Sequence, residues 1–179
     1  MTDARYMVFD IESIGLHGEA FAVGWVVIDD GTEVDSGFAA CPMSNASGDA
    51  EDRAWVVRNC PPLPWECSTP AEVRAVFWRA WRRERERCAD VVLVADCAWP
   101  VEARFLAACV DVDPVVRRWG GPYPLHDVAT ARLAAGLDPL AIAPRLSNEL
   151  PVHHPTCDAR QSARLFVEAL KACKHGRDT

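Results

Sequence analysis

Short blocks of apolar residues, rather than long helical stripes, dominate the first forty positions of the chain. Residues 5–11 and 21–28 are rich in Val, Ile, Phe and Trp and predict two strands. Asp30-Gly31 is a strong two-residue hairpin signal, so Thr32 to Ala40 predicts a returning third strand and an antiparallel opening meander. The pattern then breaks. Pro, Gly, Ser and Asn dominate Cys41 to Asp49, and Pro61, Pro62 and Pro64 follow. Residues 41–69 therefore predict an irregular excursion with one helical turn at about 52–57, and excursions of this length inside a compact domain are commonly functional.

Periodicity resumes at Thr69-Pro70, an N-cap followed by proline at the first helical position. Val73, Val76, Phe77, Ala80 and Trp81 form one apolar helical stripe, and Arg79, Arg82, Arg83, Arg85, Glu84 and Glu86 form a charged, solvated opposite face. Val91 to Ala95 is a continuous apolar run, as expected for a strand buried on both faces of a parallel sheet. A helix follows over 101–110, then the Gly120-Gly121-Pro122 break and a short last strand at 123–125. A helix over 127–135 stops at Gly136, with Asp127 as its cap. A final helix at 157–173 places Ala159, Ala163, Phe166, Leu170 and Cys173 on one face. The order predicts an α/β domain over 1–179, with an antiparallel meander joined to parallel strands and helices on both sides.

Composition narrows the function classes. Of the 179 residues, 50% are apolar and 25% charged, which suits a globular protein. The start of the chain has no basic segment leading into an apolar one, and no apolar run approaches the roughly 20 residues of a membrane span. A cytoplasmic location is expected. Eight cysteines, at 41, 60, 67, 88, 97, 109, 157 and 173, include no C-x-x-C pair, so free thiols are expected rather than zinc sites or disulfides. A net charge of −7 argues against gripping long nucleic acids through a broad basic face. It leaves room for a carboxylate site whose bound cations invert the local field.

Such a site is visible in Val8-Phe9-Asp10-Ile11-Glu12. Alternation sends Asp10 and Glu12 to one face of the strand, about 7 Å apart at Cα, while Phe9 and Ile11 point the other way. Like charges so placed are costly unless a cation lies between them or the strand end frays into water. Near the other end, Asp158 opens the last helix and His153 lies five residues before it in a loop.

Taken together, these residues resemble the DEDDh, or DnaQ-like, 3′–5′ exonuclease family of the RNase H-like superfamily. Its D-x-E motif is matched by Asp10 and Glu12 in F-D-I-E-S-I-G-L, and its H-x-x-x-x-D motif by His153 and Asp158, with Ala159 completing the D-A pair. His154 does not keep the spacing, and Pro155 stands where the family often has alanine. The middle motif departs further. The expected aspartate position is Pro100, so the third acid is either Asp96, the first choice, or Glu102 after a two-residue insertion.

The resemblance implies a nuclease using two Mg²⁺ or Mn²⁺ ions about 3.5–4 Å apart. Asp10 would bridge them, Glu12 and Asp158 would hold one, Asp96 or Glu102 would complete the shell, and His153 would accept the proton of the attacking water. Ser13, Ile14, Gly15 and Leu16 would meet the terminal nucleotide, with Leu16 against its base. The implied product is a 5′-mononucleotide. The expected substrate is a 3′ end of DNA or RNA, single-stranded because a compact acidic protein has little surface for opening a duplex. The broken middle motif supports an alternative, an impaired domain of this fold that binds nucleic acid or protein without cleaving. A homodimer through the 41–69 excursion or the Arg/Trp helix is a further expectation.

Overall fold

The structure, a computed structural model, describes residues 4–175. The opening meander forms as β1 (Tyr6–Ser13), β2 (Ala20–Asp29) and β3 (Thr32–Ala40). Asp30 and Gly31 both take positive φ, 46° and 78°, as a tight hairpin turn between twisted strands requires. β4 (Val92–Ala95) and β5 (His126–Asp127) complete a five-stranded sheet of order β3-β2-β1-β4-β5. β1 runs antiparallel to β2 and parallel to β4, so it lies at the centre of a mixed sheet.

Alternation along β1 divides the protein into two layers. Met7, Phe9 and Ile11 join the larger core, which includes Phe77 and Trp81 of α2 (Pro70–Arg87) and Phe105 of α3 (Ala103–Asp111). Val8 faces the opposite layer with Ala159, Ala163 and Phe166 of α6 (Pro155–His175) and Val128 of α5 (Val128–Ala134). Asp10 and Glu12 share the parity of Val8, so their side chains lie on the α6 side. That assignment positions the site.

α6 comes unusually close to the sheet at Gly24, the β2 residue paired with Asp10. A Cβ on Gly24 would lie 2.2 Å from the Thr156 amide nitrogen and 2.3 Å from the Pro155 carbonyl carbon. Only glycine lets the first turn of α6 sit there, and that turn carries Asp158.

Three local features depart from the sequence expectations. The excursion holds a full helix, α1 (Ala50–Asn59), capped by the Asp49 carboxylate on the Glu51 amide. It buries only Val56, so no apolar stripe announces it. The last strand lies at His126–Asp127 and not at 123–125, because Pro124 has no N–H for a ladder and Tyr123 is 98% exposed. The charged face of α2 is also not wholly solvated. Glu84 is fully buried and accepts from Arg5 (Nη2 2.9 Å) and Arg87 (2.9 Å), while Arg5 also reaches Asp29 at 2.7 Å.

The tryptophans of α2 belong to this fold rather than to a partner. Trp78 and Trp81 are buried, Trp81 donates to the Gly120 carbonyl at 3.0 Å, and Arg117 lies over Trp78 at 5.2 Å. All eight cysteines are free thiols, with Cys41, Cys67, Cys109 and Cys157 buried. A short helix, α4 (Pro114–Arg117), leads towards the glycine break, and among the described residues no helix is long and apolar enough to cross a membrane.

Two stability measurements follow. Gly24→Ala should cost about 2 kcal/mol or more, because the new methyl meets backbone rather than a movable side chain. An unchanged melting temperature would show that α6 is not seated on Gly24. Glu84→Gln should cost about 3 kcal/mol by leaving Arg5 without its buried partner, read as a lower urea midpoint at constant m-value.

Candidate active site

The centre of the site is a trio of carboxylates. Oxygens of Asp10 and Glu12 from β1 and Asp158 from α6 lie within 4.8 Å of one another. Glu12 is buried and the other two partly so. Burial, then the charges of Glu12 and Asp158, raises the Asp10 carboxyl well above the usual carboxylate range. Burial, with Asp158 next in effect, pushes Glu12 up to about 8. Burial also raises Asp158, against the lowering effect of Arg145. The Arg145 guanidinium donates to Asp158 Oδ1 at 2.5 Å and to the Glu149 carbonyl at 2.9 Å.

The two candidates for the third acid have different surroundings. Asp96 directly follows β4, is exposed, and accepts from the Ser162 hydroxyl at 2.6 Å. Glu102 closes an irregular helical turn, Ala98–Glu102, ahead of α3 and is buried. Burial, with Asp96 as the charged neighbour, pushes Glu102 up to about 8. Both acids raise Asp10, Asp96 by more than Glu102, and Glu102 also raises Glu12.

His153 stands at the rim in a left-handed conformation, φ 60°. That backbone turn aims its amide at Asp158 Oδ2 (3.1 Å) and leaves its ring nitrogen Nδ1 4.0 Å from Glu12 Oε1. Trp55 of α1 meets the imidazole edge-to-face at 5.3 Å. His154 instead packs flat on Phe38 at 5.3 Å.

A cleft of about 390 Å³ opens beside the trio, lined by Glu12, Leu16, Asp52, Trp55, Val101 and His153 among others. Ser13 also lines it and donates from its hydroxyl to the Gly15 carbonyl at 2.7 Å. Gly15 lies against Asp52, and Leu16 is 63% exposed on the wall. Ile14 differs from its neighbours. Its side chain is fully buried and its amide donates to the Glu19 carbonyl at 3.1 Å, so neither is free to meet a ligand.

Trp55, Cys60, Asp52 and Arg145 escaped the sequence reading. The length of the excursion pointed to its stretch of chain but not to these residues, because α1 has no apolar periodicity. Cys60, which ends α1, donates its thiol proton to Glu12 Oε2 at 3.6 Å, and burial with Glu12 pushes that thiol up to about 12. Arg145 sits in a proline-interrupted loop where no spacing marks it.

No protein-family model and no curated protein sequence matches the chain. Solved structures do. Exonuclease I from Methylocaldum szegediense superposes with a TM-score of 0.63 at 15% identity, over 92% of this chain and 40% of that one. Cell-death related nuclease 4 (CRN-4) superposes with a TM-score of 0.54 at 12% identity, over 96% of this chain and 66% of that one. The chain thus spans less than two thirds of the length of either protein. With its antiparallel meander, parallel β4 and β5, and helices on both faces, this chain has an RNase H-like α/β fold in common with these two nucleases.

Proposed function

We propose that this chain is a two-metal-ion 3′–5′ exonuclease of DEDDh type. It would hydrolyse phosphodiester bonds at the 3′ end of DNA or RNA, preferably single-stranded, release 5′-mononucleotides, and act in the cytoplasm. The observation that carries this reading is the convergence of Asp10, Glu12 and Asp158 within 4.8 Å, from opposite ends of the sequence. Nuclease-like architecture supports it.

The donor set fits hard divalent cations. The carboxylates repel one another, are raised in pKa by burial and by each other, and offer only oxygen, which suits Mg²⁺ or Mn²⁺. Asp10, Glu12 and Asp158 would hold the ions, and Glu102 would complete the set ahead of Asp96: Asp96 acts more strongly on Asp10, but Glu102 is buried and acts on both Asp10 and Glu12. Two such ions supply an ionised water and neutralise charge at the phosphate.

The protein's own groups do the rest. His153 takes the proton of the attacking water on its imidazole, and Glu12 Oε1, 4.0 Å from Nδ1, stabilises the resulting cation. Trp55 limits the swing of that ring. Leu16 and Trp55 give the cleft apolar surfaces for a base, and its volume lies within the range of small-ligand pockets. Arg145 holds Asp158 in place when the cation is absent.

The same Arg145–Asp158 pair, with Pro100 at the expected acid position, favours a second reading: a module of this fold that binds nucleic acid or protein without cleaving it. Calorimetric titration with Mn²⁺ separates the two. The exonuclease binds it saturably at millimolar concentration, and the module does not.

The pKa shifts set a pH window. Glu12 and Glu102 keep protons up to about pH 8 in the folded, cation-free protein, whereas the unfolded chain releases them near 4.5. The folded state therefore binds more protons between these values. The stability so contributed is complete below about pH 4.5 and is lost as pH rises towards 8. Glu19 and Glu149, lowered from 4.5, act only below this window. The melting temperature of chelated protein should fall from about pH 5 to about pH 8, and Mg²⁺ or Mn²⁺ should restore it most at the upper end. A flat profile that ignores the cations would contradict the buried-acid site.

The activity test uses matched DNA and RNA oligomers, labelled at the 5′ end, with Mg²⁺ or Mn²⁺. Asp10→Ala and Asp158→Ala should abolish mononucleotide release, and His153→Ala should slow it by about 10²–10⁴-fold. Glu102→Gln should cost more than Asp96→Asn. Full activity in the Asp10 and Asp158 variants would rule the proposal out.

A further inference from the structure

Glu12 belongs to two clusters, and the second contains no other carboxylate. Ligand atoms of Glu12, Cys60 and His153 also lie within 4.8 Å of one another. Cys60 Sγ is 3.6 Å from Glu12 Oε2, and His153 Nδ1 is 4.0 Å from Glu12 Oε1. These three groups are a thiol, an imidazole and a carboxylate, the donor types of borderline-soft cations, whereas Mg²⁺ and Mn²⁺ gain little from sulfur.

The spacing is close to what such an ion needs. With metal–sulfur bonds of about 2.3 Å and metal–oxygen or metal–nitrogen bonds of about 2.0–2.1 Å, tetrahedral ligands stand about 3.3–3.6 Å apart. The 3.6 Å separation of Cys60 from Glu12 lies within this range and the 4.0 Å separation of His153 from Glu12 is a little above it, a gap that small side-chain rotations can close. Cys60 is partly exposed at the end of α1, and His153 lines the open cleft, so an ion has a route in and a fourth position open to water.

We propose that Glu12, Cys60 and His153 form a three-ligand site for zinc or a similar borderline-soft divalent cation, distinct from the Asp10–Glu12–Asp158 set and sharing Glu12 with it. Binding forms metal–sulfur, metal–nitrogen and metal–oxygen bonds, breaks the Cys60 S–H bond, and sends its proton to solvent. Because Glu12 and the His153 imidazole are engaged together, occupancy removes both from the chemistry proposed above. The site would therefore let zinc-type ions antagonise hard cations through ligand competition. Its existence goes beyond the nuclease reading; only the inhibitory consequence rests on it.

Cobalt(II) titration of the reduced, chelator-treated full chain tests the site without nucleic acid. A thiolate ligand produces a sulfur-to-cobalt charge-transfer absorption in the near ultraviolet. The wild-type protein should show this band, saturating at one Co²⁺ per chain, and Zn²⁺ should erase it. Cys60→Ser should abolish it, while Cys97→Ser, which removes an exposed thiol elsewhere, should keep it. His153→Gln retains the thiol and should weaken Co²⁺ binding at least about tenfold, the floor for losing even an indirect partner. Absence of the band in wild type, its survival in Cys60→Ser, or unchanged affinity in His153→Gln would overturn the assignment. An inactive protein that shows the band upholds it, and an active nuclease without the band refutes it alone.

Discussion

Carboxylates two residues apart on a central strand must share a face, and here the helix covering that face brings a third. At separations no greater than 4.8 Å, each ionised pair repels by about 3 kcal/mol or more at an effective dielectric constant of about 20. Burial adds to this cost, and Glu102 adds another charge from a third element. Arg145 offsets part of it, through its bond to Asp158 and its charge near Glu12, and the Cys60 thiol gives Glu12 one weak hydrogen bond. The cluster is stable when it is partly protonated or when it holds cations. Both the pH behaviour and the proposed chemistry come from that single electrostatic constraint.

The rest of the fold keeps the acids from relaxing apart. β1 is paired on both sides, so Asp10 and Glu12 cannot move without breaking ladders to β2 and, at its first half, β4. Gly24 lets α6 lie directly on β2, and the apolar contacts of Ala159, Ala163 and Phe166 hold that helix down. The opposite layer, with Phe77 packed against both Phe9 and Phe105, supplies apolar burial that can sustain an unfavourable site elsewhere. A rigid sheet and a closely seated helix thus impose a charge arrangement that no isolated segment would adopt.

The excursion after β3 has a different role. α1 contributes little to the core but brings Trp55 to His153 and Cys60 to Glu12. The three clustered acids come from β1 and α6, while Trp55 and the Cys60 thiol come from this insertion. Two cation chemistries can consequently meet at one carboxylate, with further oxygen donors from β1 and α6, sulfur from the end of α1 and nitrogen from the loop that leads into α6.

Much of this architecture was legible from local sequence because it obeys local rules. The strand alternation of Asp10 and Glu12, the Asp30-Gly31 turn, the Thr69-Pro70 helix start and the five-residue interval from His153 to Asp158 depend on near neighbours, and the structure places each in the expected element. What depends on distant neighbours was not legible. Glu84 reads as a surface charge until Arg5, 79 residues away, is folded against it. Asp96 and Glu102 are equivalent as letters, and only the folded chain buries one and leaves the other exposed against Ser162. Trp55, Cys60 and Arg145 likewise gain their meaning from contacts across the chain, since side-chain chemistry is local but the field and burial that act on it are set by the whole packed structure.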